Sequence, residues 1–485
     1  MCTSRCLDTD LAPNDLLCFT TALEPLAVLP PGSSGQSIML RILLLAPASN
    51  PDGITGPLIG YLHGEALARR HTVTFVIRRQ DEAAVRRKQS PFHAIEVISP
   101  SWLDGIYAWS FRWIFKNNYR SQVLTAFNYI FCVAFEWRAW RQTRSRIKAG
   151  EFDVVTRLLP ISSVLPSPFA FFLRRGPIPF VIGPINGGLP WPAGFRQAKK
   201  QKEWISNLRN FYRFLPFARS TYRDAAAIIA GSSHTYNEFA AYREKLFLVP
   251  GENGIDPSLC GSASRGSVRR DKLELIFVGG LVPYKACDLA LRAAASLLQT
   301  QRAHFTIVGD GPEQASLEQL TKSLRIENGV TFCGSLSHDE VLRRLGAVDV
   351  LVFPSVHEFG GAVVFEALAM GAVPVVVDFG GPGDIVNPEV GFKVPLTNED
   401  DVVSQIEKVL AKLADDPDLL EQLRQQGMQY ARECLSWDGK AQLMTQILTW
   451  VVGQGPKPDL QPRKTLSPRR TDSTMADLLV VNLLF

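Results

Sequence analysis

Cysteine is scarce in this chain. There are eight in 485 residues, with no Cys-x-x-Cys pair and no His/Cys cluster at zinc-ligand spacing. That excludes a disulfide-stapled scaffold and a zinc ribbon, and the thiols are expected to be reduced. No uninterrupted apolar stretch reaches the roughly 18 residues of a spanning helix, so the chain is expected to be soluble or bound at a membrane surface. Around Cys2, Cys6 and Cys18 there is no basic segment followed by a clean apolar run and a small-residue cleavage site. No secretory signal is therefore expected, and the location is read as cytoplasmic. Glycine and proline, 36 and 32 residues, stand at their ordinary share, which excludes a fibrous or wholly disordered chain.

What is present is a large globular composition, 46% hydrophobic and 20% charged, long enough for about three domains. The net charge of +5 conceals an asymmetry, because residues 101–224 carry 19 Lys/Arg against 6 Asp/Glu. The same stretch holds seven of the nine tryptophans: Trp102, Trp109, Trp113, Trp137, Trp140, Trp191 and Trp204. Interleaved cations and rings suit phosphate-bearing or lipid partners. The competing reading is a tryptophan-filled core beneath ordinary solvated charge. No nucleic-acid motif accompanies the charge, so nucleic acid is not expected as a partner.

Residues 1–38 form a flexible N-terminal extension ending in Pro30-Pro31-Gly32-Ser33-Ser34-Gly35, and Met39 opens the first strand-like run. From there short β-branched runs alternate with helical patterns. Strands are expected at Ile42–Leu45, Thr72–Ile77, Val154–Thr156, Phe180–Ile182, Ala227–Ile229 and Phe247–Val249. After a polar linker (258–271) the pattern restarts at Leu273–Val278, Phe305–Val308, Val330–Phe332, Val350–Phe353 and Val373–Val377. The fold class is therefore α/β, with two Rossmann-like, doubly wound parallel-sheet domains (39–257 and 272–435) facing across a cleft. A C-terminal helix (436–452) is expected to pack back on the first domain. The Pro-rich, basic segment 453–485, which ends in LLVVNLLF, reads as a disordered tail.

Ligands of such sheets sit outside the C-terminal strand ends. In LIFVGGLVPYKACDLALRAA, Gly279 and Gly280 lie just past a strand and Lys285 just ahead of a helix, a turn able to hold phosphate with backbone N–H groups and one ammonium. A plain glycine turn beside a solvated lysine is the competing reading. FTIVGDGPE leaves a strand through Gly309 and Gly311 in the same way. In VLVFPSVHEFGGAVVFEALAMGAVPVV, Glu358 follows a strand, Gly360 and Gly361 open a helix, and Glu366 lies within it. At 1.5 Å per residue Glu366 is roughly 7 Å along the axis from the helix start. A diphosphate at the N-terminus would therefore put a ribose within its reach. Two Asp-x-Asp matches, Asp8/Asp10 and Asp416/Asp418, lie outside the strand-end loops and are no more than chance supplies. The site is read as metal-free, without a cofactor.

With those motifs, VGGLVPYK, IVGDGP, VTFCGSL, PSVHEFGGAVVFEALAMG and Gly380-Gly381-Pro382, residues 273–394 resemble the C-terminal domain of family-4 glycosyltransferases. These are retaining, GT-B enzymes of the glycosyl transferases group 1. GPINGGLPWP (183–192), AGSS (230–233) and ENGID (252–256) extend the resemblance to roughly 39–450. The resemblance implies that Lys285 and Glu358 are catalytic, on the donor diphosphate and the transferred sugar, and that Glu366 binds the ribose. It further implies donor binding by Gly279, Gly280, Gly360 and Gly361, with backbone near Cys333, Gly334 and Ser335 holding the base. In the first, acceptor-side domain it implies a glycine-rich loop, Gly53, Gly56 and Gly60, beside the donor phosphate. Two departures stand out: Gly280 where members often carry Arg, and FDVVTRLLP (152–160), where Thr156 or Arg157 stands in place of a histidine. The one histidine beside the main motif is His357.

The implied activity is transfer of a sugar from a nucleotide diphosphate sugar to an unidentified acceptor, in polysaccharide or glycolipid biosynthesis. The acceptor is expected to be lipid-linked or membrane-proximal, with peripheral contact to anionic lipid at the inner membrane face. An epimerase or phosphorylase of the same architecture, or a silent sugar-nucleotide-binding protein, remains open on sequence alone.

Overall fold

The first sheet is built from seven short runs: β1 (Arg41–Leu45), β2 (Thr72–Arg78), β3 (Ala94–Ile98), β4 (Val154–Arg157), β5 (Phe180–Ile185), β6 (Ala227–Ala230) and β7 (Leu246–Leu248). All are parallel, in the order β3-β2-β1-β4-β5-β6-β7. The second sheet holds β8 (Leu273–Val278), β9 (Ala303–Val308), β10 (Val330–Phe332), β11 (Val350–Phe353), β12 (Val373–Val377) and β13 (Phe392–Val394), again parallel, in the order β10-β9-β8-β11-β12-β13. The computed structural model describes residues 38–53, 56–98, 122–189, 192, 215–260 and 271–461. The N-terminal extension through residue 37, linker residues 261–270, the chain beyond 461, and Trp102, Trp109, Trp113, Trp191 and Trp204 lie outside the described residues.

Central strands such as VVTR (β4), FVIGPI (β5), VLVF (β11) and VPVVV (β12) are buried at every position, because helices cover both faces of a parallel sheet. Two strands, β3 and β13, escape the sequence reading. Both lie at sheet edges, where AIEVI and FKV are mostly half-buried and carry a charge, so neither shows a continuous apolar run.

In each sheet the order reverses beside the first strand, between β1 and β4 and between β8 and β11. Such switch points open a crevice at the C-terminal strand ends. The two C-terminal edges face each other. Leu189, beyond β5, accepts a hydrogen bond through its carbonyl from His357 Nε2 at 3.3 Å, beyond β11. Ser233 N, beyond β6, donates to Asp384 Oδ2 at 2.8 Å.

The chain crosses between the sheets twice, and the crossings are pinned together. Ile255 N donates to Leu435 O at 3.1 Å, and Trp437 N donates to Ile255 O at 3.0 Å. The helix Trp437–Val451 then buries Ala441, Met444, Ile447 and Leu448 in the core of the first sheet. Leu460 joins that core and its carbonyl accepts from Leu248 N at 2.7 Å, so the packed chain continues past residue 452 into the segment read as a tail. Ile255 and Cys260 belong to the second core, which moves the domain boundary a few residues earlier than 257.

At the end of β4, where the sequence resemblance leaves a histidine missing, Thr156 and Arg157 are both buried. Arg157 Nη1 lies 3.6 Å from Glu136 Oε1, and its Nη2 donates to Leu165 O at 2.7 Å. Ser167 Oγ donates to the other oxygen of Glu136. Arg157 is thus a core cation that ties β4 to the helix Gln122–Lys148. A buried pair is costly to break and cheap to replace whole. Arg157→Met or Glu136→Leu alone should destabilise by about 3–5 kcal/mol. The double variant E136L/R157M should lose less than either single variant in urea denaturation, and additive losses would show the two charges to be uncoupled.

Candidate functional site

The loops after β8 and β11, at the switch point of the second sheet, form one wall. After β8 the chain turns through Gly279 and Gly280 into a single turn, Pro283–Lys285, ahead of the helix Cys287–Gln299. Tyr284 O accepts from Val356 N at 2.9 Å and from Ser355 Oγ at 3.3 Å, which ties this loop to the one after β11. Lys285 Nζ consequently forms an ion pair with Glu358, with both side chains about four-fifths buried, and sits 5.0 Å from the centroid of Phe353.

The loop after β11 ends at Gly361, whose φ of 57° caps the helix Ala362–Met370 in a left-handed conformation that glycine adopts without strain. The N-cap residue offers no side-chain cap, and Val364 N turns back to Gly361 O at 2.8 Å, so an anion at this N-terminus would meet the N–H groups of the first turn ahead of Val364. Glu366, the fifth residue of the helix, accepts from His338 Nε2 at 3.0 Å. His338 opens the helix His338–Leu345, which Ser337 caps by accepting from Glu340 N. Sequence reasoning passed over His338, since a histidine at a helix start carries no motif and its partner lies 28 residues away. Gly334 O accepts from Gly309 N at 2.8 Å, and Ser335 Oγ donates to Asp310 Oδ2 at 2.7 Å, so the loops after β9 and β10 lean together beside this wall. A Cβ on Gly280 would meet only Asp310 O, at 3.9 Å, leaving room for the side chain that this chain lacks there.

The opposite wall comes from the first half. Gly251, beyond β7, has φ +69°, and a Cβ there would lie 2.5 Å from Phe365 Cζ, so the backbone of one half touches the helix Ala362–Met370 of the other. Lys440, fully buried, donates to Pro250 O at 2.7 Å and Gly251 O at 2.8 Å. Burial pulls its ammonium down to about 7, with Glu252 acting in the opposite direction. His63 Nε2 lies 3.2 Å from Glu252 O and its ring meets Trp437 edge-on at 5.0 Å. Burial, and then the neighbouring Lys440 charge, push His63 down to about 3. His357 is packed between Tyr284 and Phe359, and burial lowers its proton affinity. Its contact with Leu189 O gives it a place in joining the halves.

Lys285, Glu358, Gly360, Gly361 and Glu366 thus gather on the two loops and the helix at the second switch point, with Gly279 and Gly280 at the base of the first loop and Gly334 and Ser335 on the neighbouring one. Gly53 and Gly56 lie beyond β1, at the switch point of the first sheet. Gly56 opens the helix Gly56–Ala68 and lines a largely apolar cavity of about 290 Å³ with Pro47, Ala48 and Leu159. Gly60 is a packing glycine, since a Cβ there would collide with Leu159 and Ser49. Among the described residues no group of three His, Cys, Asp or Glu side chains is placed to hold a metal ion.

Residues 264–430 match the family described as Glycosyl transferases group 1. An uncharacterized glycosyltransferase of Methanocaldococcus jannaschii is 33% identical over 145 residues, 30% of this chain and 37% of that protein. The alpha-D-kanosaminyltransferase of Streptomyces kanamyceticus is 28% identical over 155 residues, covering 32% of this chain and 39% of its own length. The D-inositol 3-phosphate glycosyltransferase of Streptomyces avermitilis is 29% identical over 245 residues, covering 46% and 52%. The chain thus spans between about a third and a half of the length of the curated relatives it matches. Among solved structures, Anabaena Alr3699/HepE in complex with UDP superposes with a TM-score of 0.52 at 17% identity, over 85% of this chain and 100% of that one. A glycosyltransferase from Rickettsia africae gives 0.51 at 12%, over 85% and 99%. With the two facing parallel sheets, these likenesses give the chain the GT-B fold.

His63 links the joint between the halves to pH. Its folded proton affinity is depressed, so between pH 6.5 and about 3 the unfolded chain binds the extra proton and stability falls as the pH falls. At pH 5 this amounts to about 2 kcal/mol. In His63→Gln, which keeps a donor for Glu252 O, the stability difference between pH 7 and pH 5 should shrink by about that amount in denaturant titrations.

Proposed function

We propose that this chain is a metal-independent glycosyltransferase that moves a sugar from a nucleotide diphosphate sugar to an acceptor with retention of anomeric configuration. The observation that carries the reading is the uncapped helix start at Gly361, with Lys285 and Glu358 on the approach to it and Glu366 one turn inside. The match to Glycosyl transferases group 1 over the same residues, and relatives named for sugar transfer, support it.

Each group then has a task set by its charge. The helix N–H groups and Lys285 take the diphosphate, on which negative charge develops as the sugar departs. Glu366 takes the ribose hydroxyls, and the backbone near Gly334 and Ser335 the base. Lys285 begins paired with Glu358, so an incoming diphosphate competes for the ammonium and sets Glu358 free beside the sugar. The acceptor attacks from the face the diphosphate leaves, and a phosphate oxygen accepts its proton. With Gly280 in place of a cation, Lys285 and the helix dipole carry the phosphate charge between them.

The acceptor is read as lipid-linked, met at an anionic membrane on the cytoplasmic side. No helix among the described residues is long and apolar enough to cross a membrane. The helix Gln122–Lys148 instead presents Ile130 and Trp137, 51% and 49% exposed, followed on the same face by Arg141, Arg144 and Lys148. Beside it Phe171 is exposed, with Arg174 stacked 3.8 Å from its ring. Trp140 has gone inward against Phe169 and Phe172, so the two tryptophans of this stretch among the described residues divide between core and surface. Of the two segments that interleave charge and rings most densely, 111–120 lies outside the described residues and 209–219 is described from 215 onward.

The first test is a thermal-shift panel of UDP, ADP and GDP with their hexose conjugates, since a ligand of the native state raises the melting temperature. With the donor so identified, Glu366→Ala should weaken the nucleotide by about 1–3 kcal/mol. Glu358→Gln should leave nucleotide affinity nearly unchanged and lower turnover strongly, and parental turnover in that variant would remove Glu358 from the sugar. For the membrane, co-sedimentation with anionic vesicles is expected at low salt and release at high salt, with about 1 kcal/mol contributed by each surface cation. Trp137→Ala should weaken it, and absence of binding at low salt would reduce the patch to ordinary surface.

A further inference from the structure

The ENGID segment contains a carboxylate to which the reading above gives no task. Glu252 sits on a backbone held from every side: Gly251 N donates to Gly231 O at 2.7 Å, Lys440 holds the two preceding carbonyls, and His63 meets the carbonyl of Glu252 itself. A Cβ on Gly254 would lie 2.6 Å from Trp437, which closes the other flank. Its side chain therefore has little freedom. Oε2 accepts from Asn186 Nδ2, in the GPINGG segment beyond β5. Oε1 lies 3.7 Å from where a Cβ of Gly360 would stand, two residues beyond Glu358 and one before the helix cap.

This arrangement is costly for a group of that charge. The carboxylate is largely buried, and among the described residues its side chain has a neutral amide for a donor, because the nearby Lys440 ammonium is committed to Pro250 O and Gly251 O. Burial raises its proton affinity, Glu358 across the cleft raises it further, and Asn186 and Lys440 oppose. An ionised carboxylate only accepts hydrogen bonds, so it cannot serve a phosphate. A ligand that reached both Glu252 and Glu358 would have to be neutral and rich in O–H donors.

We propose that Glu252 contacts the hydroxyls of the transferred hexose from the first half of the protein, opposite Glu358 from the second. The sugar is then gripped by one carboxylate from each half, and the grip is complete only when the halves are together. Asn186 is a positioning residue, fixing the rotamer of Glu252 without touching the sugar. This deepens the transferase reading and rests on it.

The test uses the full chain, with UDP-glucose, UDP-N-acetylglucosamine, ADP-glucose and GDP-mannose and their matching diphosphates. Glu252→Ala should bind the preferred diphosphate within threefold of the parent, while kcat/KM for the intact donor falls at least fiftyfold. Glu252→Gln, which keeps an acceptor oxygen, should recover part of the loss, and Asn186→Ala should raise KM more than it lowers kcat. Glu252→Ala with parental kcat/KM would overturn the proposal, as would a loss of diphosphate affinity equal to the loss with the intact donor, which would make Glu252 a mere support of the helix start. If Glu252→Ala does not fold, Glu252→Gln decides: a reduced specificity constant with intact diphosphate binding supports the contact, and parental values from pH 5 to 8 overturn it. Failure of the parent chain to bind any of the diphosphates would instead overturn the transferase reading.

Discussion

A buried ammonium with two carbonyls as its partners fixes where the halves of this protein meet. Lys440 reaches from the last helix to Pro250 O and Gly251 O, on the segment by which the chain first leaves the first sheet. Taking a cation out of water is expensive, and neutral carbonyls compensate it only when they cannot move away. They cannot move here, since Gly251 is wedged against Phe365, Gly254 against Trp437, and Ile255 is paired with the chain on its return through 435–437. The clamp sets the distance between the first sheet and the helix Ala362–Met370, whose open end is the centre of the candidate site.

Around that joint, the charged side chains are paired within the protein. Lys285 is neutralised by Glu358, Glu366 is held by His338, and Glu252 is held by Asn186. Under the proposed transferase reading, phosphate replaces Glu358 at Lys285 and ribose replaces His338 at Glu366, while Asn186 stays on Glu252 and the sugar hydroxyls meet the free carboxylate oxygens. Binding then exchanges one set of polar contacts for another, so its net free energy depends on geometry more than on the number of contacts.

Much of this was legible in the residues. The alternation of β-branched runs with helical patterns located eleven of the thirteen strands among the described residues, because central strands of a parallel sheet are continuous apolar runs. The edge strands β3 and β13 were not legible, being short, half-buried and charged. Glycines beside Lys285, Glu358 and Glu366 marked the helix starts, since a strand that turns at once into a helix needs left-handed or side-chain-free backbone at the corner. Arg157 shows the opposite case. By position it stood where a site residue was sought, yet its side chain turns into the core toward Glu136, and a single sequence carries no sign of which way a side chain at a strand end points.

The sequence by itself determined the two sheets, the loops at their carboxyl ends and the chemistry those loops can offer, because these depend on residues close together in the chain. Only the tertiary structure decided which groups face each other: His338 with Glu366, His357 with the carbonyl of Leu189, Lys440 beneath the crossing, and Glu252 across the cleft from the loop of Glu358. These partners lie 28 to 190 residues apart. Their meeting is set by the packing of two cores and the return of the final helix, and no local pattern encodes it.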